Sequence, residues 1–321
     1  MERLRIGLFG DNGHQLKRQL IDNPRAELVA AAAIDEKRLP VDPARIEFAN
    51  SFEDLIANEK IDLISLCSPR RRDQFEQAMA AMAAGKHVYA EKPCAFTEAE
   101  IDRLIAAARE NQVEFHEMCP TVVDHLYREM REAIQDQGMI GTVVQVLAQK
   151  CYPWHDQRPA DEDIDGGLSR QVGIYFFRFV EHIAGVRIAD IAAEETRLGN
   201  PNPDSECRRA VSIAARLENG GVASGVCNYL NPMRHRIHGY EIVRVFGTDG
   251  IIESDAEKDT VRYIPLGDEP RLLDVSGGAI DYFELILDKL IDGREMPLTL
   301  EDELSPTRWT ARLKDKADSD A

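Results

Sequence analysis

Gly85-Lys86-His87-Val88-Tyr89-Ala90-Glu91-Lys92-Pro93-Cys94 is the stretch on which the reading of this chain turns. A helical pattern from Arg71 to Ala84 runs into Gly85, which lets the chain reverse at a helix end. His87 to Ala90 then reads as a short, mostly apolar strand. Glu91-Lys92-Pro93 ends it, because proline has no N–H to donate and a fixed φ. Helix, glycine turn, short apolar strand is the grammar of a parallel sheet. Charged residues at the carboxyl end of such a strand stand where open α/β sheets bind ligands.

Working toward the N-terminus, the same grammar repeats. Leu4 to Phe9 predicts a strand and Gly13 to Ile21 a helix. Leu28 to Ile34 predicts a second strand and Ile61 to Leu66 a third. Beyond the decisive stretch, Glu98 to Arg109 predicts a helix and Val113 to Phe115 a fifth strand. Strands alternating with helices mean a doubly wound parallel sheet of the Rossmann type. The fold class is therefore α/β, with residues 1–120 expected as a dinucleotide-binding domain.

The pattern changes after Cys119. Helices are expected at Val122 to Asp136 and Leu168 to Ile183, with strands near Val143 to Ala148, Ile188 to Leu198, Arg209 to Leu217, Val222 to Tyr229, Glu241 to Phe246 and Ile251 to Ser254. Glycine turns at Asn219-Gly220-Gly221 and Thr248-Asp249-Gly250 suit hairpins. Helices at Ala279 to Ile291 and Leu300 to Leu313 close the chain, and Lys314 to Ala321 is expected to fray. Residues 121–321 thus read as an α+β domain with a large, open, mostly antiparallel sheet.

Composition narrows the function. The 321 residues carry 57 acidic and 39 basic side chains, a formal charge of −18. That balance repels nucleic acid and anionic membranes. No apolar run approaches the ~20 residues of a membrane span, and Met1 to Arg5 lead straight into a strand, so no signal peptide is expected. The six cysteines, Cys67, Cys94, Cys119, Cys151, Cys207 and Cys227, form no CxxC pair and no metal pattern. A reduced, cytoplasmic protein without a metal follows.

A dinucleotide fold expects G-x-G-x-x-G after the first strand, so that backbone N–H groups at a helix start meet the pyrophosphate. Here the loop reads Gly10-Asp11-Asn12-Gly13-His14-Gln15. Gly10 matches the first glycine, Asn12 and Gln15 replace the other two, and Gly13 comes one place late. Asp35 ends the second strand, where an acid binds ribose hydroxyls and disfavours a 2′-phosphate. NAD is expected, with NADP disfavoured. Arg70, Arg71 and Arg72 form a local basic cluster suited to phosphate or an acidic substrate.

The run Ala84-Gly85-Lys86-His87-Val88 leading into Glu91-Lys92-Pro93 resembles the signature of the Gfo/Idh/MocA family, nicotinamide-dependent oxidoreductases acting mostly on sugars, cyclitols and related polyols. Ser68-Pro69, Gly138 with Ile140-Gly141, and Gly247-Thr248-Asp249-Gly250 extend the likeness along nearly the whole chain. The resemblance implies that Lys92 is catalytic, that Ser68, Pro69 and Glu91 lie along the cofactor, and that the open sheet pairs subunits into a homodimer or homotetramer. The family's D-x-G-x-H-x-x-D helix motif matches Gln171, Gly173, Tyr175 and Arg178, so only the glycine is kept. Positions 171, 175 and 178 share a helix face. Tyr175 then stands as acid/base, with the Lys92 ammonium expected to lower its pKa from about 10. Gln171 and Arg178 become substrate contacts, the latter suiting a carboxylated or phosphorylated ligand. The loop Tyr152-Pro153-Trp154-His155-Asp156-Gln157-Arg158 resembles the family's substrate loop, so Trp154 is expected against a sugar face and Arg158 on hydroxyls or a carboxylate. His235, Arg236 and His238 form a further polar loop.

Two readings result. The first is hydride transfer between NAD(H) and a secondary alcohol or ketone of a sugar, cyclitol or sugar acid. The second, motivated by the altered glycine loop and helix motif, is a non-catalytic or regulatory ligand-binding protein of the same fold; non-redox use of a tightly held nicotinamide is a third possibility.

Overall fold

The computed structural model describes residues 3–39, 41–202, 204–235 and 237–319. The chain forms two compact units. The first comprises Met1–Cys119, Asp163–Gly166 and Asp281–Arg308, and the second Pro120–Glu162, Gly167–Ile280 and Trp309–Ala321. The sequence reading drew one boundary at 120; the contacts assign two later pieces to the first unit.

The first unit holds β1 (Leu4–Phe9), β2 (Ala26–Ala32), β3 (Glu47–Phe48), β4 (Leu63–Leu66), β5 (His87–Ala90) and β6 (Phe115–Glu117). They form one parallel sheet in the order β3-β2-β1-β4-β5-β6. Strands this apolar need cover on both faces. Ile64, Leu66, Val88, Ala90 and Phe115 are buried among residues of α1 (Phe52–Ile56), α2 (Gln74–Ala83) and α3 (Glu98–Glu110). Each large aliphatic among them contributes about 1.5–3 kcal/mol on burial. Thr97 and Glu100 close a reciprocal capping box that starts α3. Strand order reverses between β1 and β4, which puts a ligand crevice at their carboxyl ends. β3 and α1 are too short to show in the periodicity.

One expected element is missing. Residues 11–17 form no helix, and only a single 3₁₀ turn, Arg18–Leu20, follows β1. Asp, Asn, Gly and His are weak helix formers. Their polar groups find partners elsewhere, as described below.

The second unit begins with α4 (His125–Arg131), which ends in a π turn at Glu132–Asp136. An eight-stranded sheet follows: β7 (Val143–Cys151), β8 (Ile188–Thr196), β9 (Ala210–Leu217), β10 (Val222–Asn228), β11 (Tyr240–Gly247), β12 (Gly250–Asp255), β13 (Thr260–Pro265) and β14 (Arg271–Leu272). Its order is β14-β13-β12-β11-β7-β10-β9-β8, antiparallel except where β10 meets β7. Period-two alternation buries Val146 and Ala148, Val211 and Ile213, Ala223 and Cys227, and Val243 and Val245 on one face. The expected helix Leu168 to Ile183 is broken into α5 (Gly167–Gln171) and α6 (Gly173–Arg178), with a π turn at Phe179–Ile183.

Two helices end the chain. α7 (Tyr282–Asp292) belongs to the first unit, where Tyr282 and Phe283 stack on Tyr89 of β5 with ring centroids 6.3 and 6.4 Å apart. α8 (Leu300–Ser319) contributes residues to Arg308 to the first unit and from Trp309 to the second. It continues to Ser319 in the segment expected to fray, whose last two residues lie outside the described ones, and there Lys314 pairs with Glu195 at 3.1 Å and Lys316 with Asp190 at 2.6 Å. No helix among the described residues is long and apolar enough to cross a membrane.

Candidate active site

Each unit carries its own cluster of chemistry-bearing side chains. In the first, the cluster gathers at the carboxyl ends of β1, β4 and β5. Gly10 has φ +70°, and a Cβ there would collide with the Cys67 carbonyl. The turn after β1 therefore requires glycine. Glu91 is fully buried beneath this turn. Its Oε2 accepts from the His14 N–H and lies 2.8 Å from His14 Nδ1, and its Oε1 accepts the Lys92 N–H at 2.9 Å. Burial alone would raise the Glu91 pKa. The His14 hydrogen bond and the charges of His14, Arg71 and Lys92 outweigh it and hold the carboxyl well below the usual range. A Cβ on Gly13 would strike this carboxylate, so the displaced glycine makes room for Glu91.

These bonds explain the lost helix. Gln15 turns inward, and its amide donates to the carbonyls of Gly10 at 2.9 Å, Phe9 at 3.2 Å and Ser65 at 3.3 Å. Asn12 donates to the carbonyls of Pro69 and Ile164. Asp11 is neutralised by Lys17 at 2.6 Å and Arg38 at 2.7 Å. Side chains bonding to nearby backbone compete with a helical ladder.

The expected Arg70–Arg72 anion cluster is spent inside the fold. Buried Arg71 donates to the carbonyls of Lys92 and Asn12. Arg70 pairs with Asp73 and Asp163, and Arg72 with Glu100. Ser68 is buried and donates to Gln77 at 2.5 Å. Gln74 donates to the carbonyls of Glu91 and Pro93. The Lys92–Pro93 peptide is cis, and Lys92 is buried. Asp35 is exposed, and its side chain accepts the Lys37 N–H at 3.0 Å, capping a short turn.

The residues fit a dinucleotide with one alteration. The crevice, the Gly10 turn and the exposed Asp35 are as a Rossmann site requires. The N–H groups of Asn12 and His14 are taken by Cys67 and Glu91, whereas those of Asp11 and Gly13 meet no acceptor among the described residues. Two amides, without a helix N-terminus, remain for a pyrophosphate.

In the second unit, Tyr175 of α6 is buried with its ring centroid 4.3 Å from Lys150 Nζ. Lys150 is buried too, 4.8 Å from the Tyr152 ring, and ion-paired with Glu241, which also accepts the Tyr127 hydroxyl. Burial opposes the Lys150 charge, but Glu241 and Tyr175 hold its pKa above the ordinary value. The Tyr175 pKa is raised well above 10.0, by burial first and then by Tyr152, with Lys150 only partly offsetting them. This corrects the expectation of a lowered phenol pKa: desolvation dominates. Tyr175 is a phenol that holds its proton and can release it only to a strong base, with a cation under the ring to receive the charge.

Arg178 is fully buried, its guanidinium 5.9 Å from the Tyr175 ring. With burial, its charge depresses the His182 pKa. Gln171 lies half-buried at the end of α5. Trp154 is flanked by two guanidiniums, Arg209 at 4.4 Å and Arg158 at 6.0 Å from its ring, and Arg158 lies 3.4 Å from the Tyr229 centroid. His235 and His238 lie near Tyr240 and Tyr152, while Arg236 lies outside the described residues. All six cysteines are buried, and none forms a disulfide among the described residues.

Sequence reasoning missed Lys150, Glu241 and Arg209. Their signal is readable in strand parity. Lys150 is in phase with Val146 and Ala148, Glu241 with Val243 and Val245, and Arg209 with Val211 and Ile213. A charge in the buried phase of a strand needs a partner or a ligand.

Comparisons with known proteins agree with this fold. The family described as "Oxidoreductase family, NAD-binding Rossmann fold" matches residues 4–118, and the "GFO/IDH/MocA C-terminal domain" matches residues 127–253. Myo-inositol 2-dehydrogenase of Thermotoga maritima is 25% identical over 80% of this chain and 77% of its own length. An uncharacterized oxidoreductase of Bacillus subtilis is 26% identical over 76% of this chain and 71% of its own. A solved structure of a putative oxidoreductase from Thermotoga maritima superposes with a TM-score of 0.88 at 21% identity, covering 99% of both chains. An inositol dehydrogenase homolog from Azotobacter vinelandii, solved with NADH and myo-inositol, gives 0.79 at 19% identity over 99% and 96%. With both of its halves matched in order, the chain belongs to the Gfo/Idh/MocA family of NAD(P)-dependent oxidoreductases.

Proposed function

We propose that this enzyme interconverts a secondary alcohol and a ketone on a sugar- or cyclitol-like molecule, using NAD(H). When bound, the nicotinamide supplies the hydride donor or acceptor. Gly10, Gly13, Asn12 and Asp35 hold the dinucleotide, with Ser68, Pro69 and Glu91 shaping the adjoining turn. Lys92 orients and polarises the substrate oxygen, and Tyr175 exchanges its proton. Gln171, Trp154 and Arg158 contact the substrate. Fully buried Arg178 supports Tyr175 electrostatically. The relatives' names support the substrate class: a myo-inositol 2-dehydrogenase, and a scyllo-inositol 2-dehydrogenase (NADP(+)) of Bacillus subtilis, 30% identical over 39% of this chain and 38% of its own length.

The observation that carries the reading is the buried Tyr175 ring beside the Lys150 ammonium, where burial holds the phenol pKa above its ordinary value. A carbonyl oxygen becoming an alkoxide is a base strong enough to take that proton, so the arrangement favours ketone reduction. Exposed Asp35, together with Asp11 holding Arg38, favours NADH over NADPH. Exposed Leu147, Val222 and Val226 on the open face of the sheet support pairing with a second copy.

Following reduced-nicotinamide absorbance over a panel of polyols and ketoses tests this. Turnover is expected with at least one member. Tyr175→Phe should cost roughly 10²–10⁴-fold in kcat, and Lys92→Ala should abolish turnover with NADH binding retained. Unchanged activity in either variant sinks the mechanism. The missing helix after β1 favours a second reading, a ligand-binding or regulatory member. Failure to bind NADH or NADPH would establish that one instead.

A further inference from the structure

His14 stands in the turn after β1, where a Rossmann fold ordinarily starts the helix whose N–H groups receive the pyrophosphate. No helix starts there, and the His14 N–H itself is taken by Glu91. The same carboxylate places the imidazole: Nδ1 lies 2.8 Å from Glu91 Oε2, while the side chain is 75% exposed. An ionised carboxylate only accepts, so Nδ1 carries a hydrogen and Nε2 is left on the opposite edge of the ring. Burial opposes the Glu91 charge, yet the His14 hydrogen bond and the charges of His14, Arg71 and Lys92 keep the carboxyl below its usual range. A Cβ on Gly13 would strike that carboxylate, so the loop backbone rests on it. An anion brought to this turn therefore meets a fixed negative charge beneath the backbone. Asp11 adds a second, answered by Lys17 at 2.6 Å and Arg38 at 2.7 Å. At Glu91 the neighbouring cations Arg71 and Lys92 are buried, whereas the His14 ring reaches solvent. A ring held this way can bridge a carboxylate on one edge and a phosphate on the other once Nε2 is protonated.

We propose that the His14 imidazolium, held by Glu91, is this chain's substitute for the missing helix N-terminus: it donates Nε2–H to the pyrophosphate of the dinucleotide, and cofactor binding takes up a proton there. This rests on the nicotinamide reading of the first unit, and every residue it uses lies in that unit. The charged groups at Glu91 are Lys92 at the end of β5 and Arg71 in the turn after β4, and those of the His14 loop are Asp11 and Lys17, with Arg38. Of these residue types, imidazole is the one that ordinarily changes charge between about pH 5 and 8.

Calorimetric titration with NADH and with ADP-ribose tests this. Both should bind wild type more tightly as pH falls from about 8 to about 6. Net proton uptake should appear as a binding heat that changes with the ionisation enthalpy of the buffer. His14→Gln should weaken both ligands by about 10–100-fold, the worth of a hydrogen bond to a charged group, and remove the pH dependence. His14→Lys should restore much of the affinity without the pH dependence, and it guards against a glutamine variant that fails to fold. An NADH affinity unaltered in His14→Gln, or wild-type binding that neither varies with pH nor takes up a proton, overturns the proposal and leaves the nicotinamide reading standing. ADP-ribose binding that depends on His14, without nicotinamide turnover on any substrate, supports the phosphate contact and overturns the redox reading instead. Wild type that binds neither ligand overturns both.

Discussion

Glu91 is a buried carboxylate and Glu241 a half-buried one, each beside a buried cation, yet they hold different things. Glu91 binds backbone: the N–H groups of His14 and Lys92, with Arg71 at 4.0 Å. Glu241 binds side chains: the Lys150 ammonium and the Tyr127 hydroxyl. The Glu91 cluster is a backbone loop pinned by side chains, whereas the Glu241 cluster is a set of side chains that hold one another. Backbone amides are supplied by any residue, so the loop tolerates Asn12 and Gln15 where glycines are expected. A side-chain constellation depends on each member.

Substitutions that unbalance the two carboxylates test this contrast. The largest effect is expected at Glu241→Gln, which leaves the Lys150 ammonium buried and unpaired at a cost of about 3–5 kcal/mol. Urea denaturation should show it, and adding Lys150→Met should recover most of the loss. An unshifted midpoint would mean that the pair does not hold the second unit together.

Glu91→Gln should cost less, about 1–3 kcal/mol, because the amide keeps an acceptor for the backbone. Since the folded-state pKa of Glu91 lies below its ordinary value of 4.5, its stabilisation is present above that pH and lost as pH falls below it. The difference between wild type and Glu91→Gln should therefore shrink in acid; a constant gap from pH 7 to 3 contradicts the charge argument.

Within the first unit, Glu303 offers an opposite case. It is buried and binds His116 Nδ1 at 3.0 Å and the Tyr282 hydroxyl at 2.7 Å. Burial lowers the His116 pKa, but Glu303 outweighs it and the net shift is upward from 6.5. This contribution is complete below about pH 6.5 and fades as pH rises through the folded-state value. Melting temperatures of wild type and His116→Gln should converge above neutrality.

The smallest effect concerns Asp11. Asp11→Asn releases Arg38 and Lys17 from their ion pairs, so the ratio of NADPH to NADH affinity should rise by about fivefold, near 1 kcal/mol. A falling ratio would show that these cations take no part in reading the cofactor.

Much of the first unit was legible because its strands are short apolar runs punctuated by glycine and proline, and Glu91-Lys92-Pro93 marks a strand end in any register. The helix at Gly13 to Ile21 was not, because Gln15 and Glu91 divert the loop's polar groups and Glu91 lies over seventy residues away. β13 and β14 were missed because Thr260–Pro265 alternates weakly and Arg271–Leu272 is a two-residue, exposed edge strand. The Arg70–Arg72 cluster reads as an anion site only until Asp73, Asp163 and Glu100 are seen beside it.

The sequence by itself determined the parallel sheet, the open antiparallel sheet and the family, since each depends on local pattern: period, turn chemistry and a contiguous motif. Only the tertiary structure decided which charges are spent. It placed Lys150 under the Tyr175 ring, paired it with Glu241 from another strand, set Arg209 beside Trp154, and turned the phenol pKa upward. Pairing and desolvation depend on distances between residues far apart in the chain, and those are set by folding.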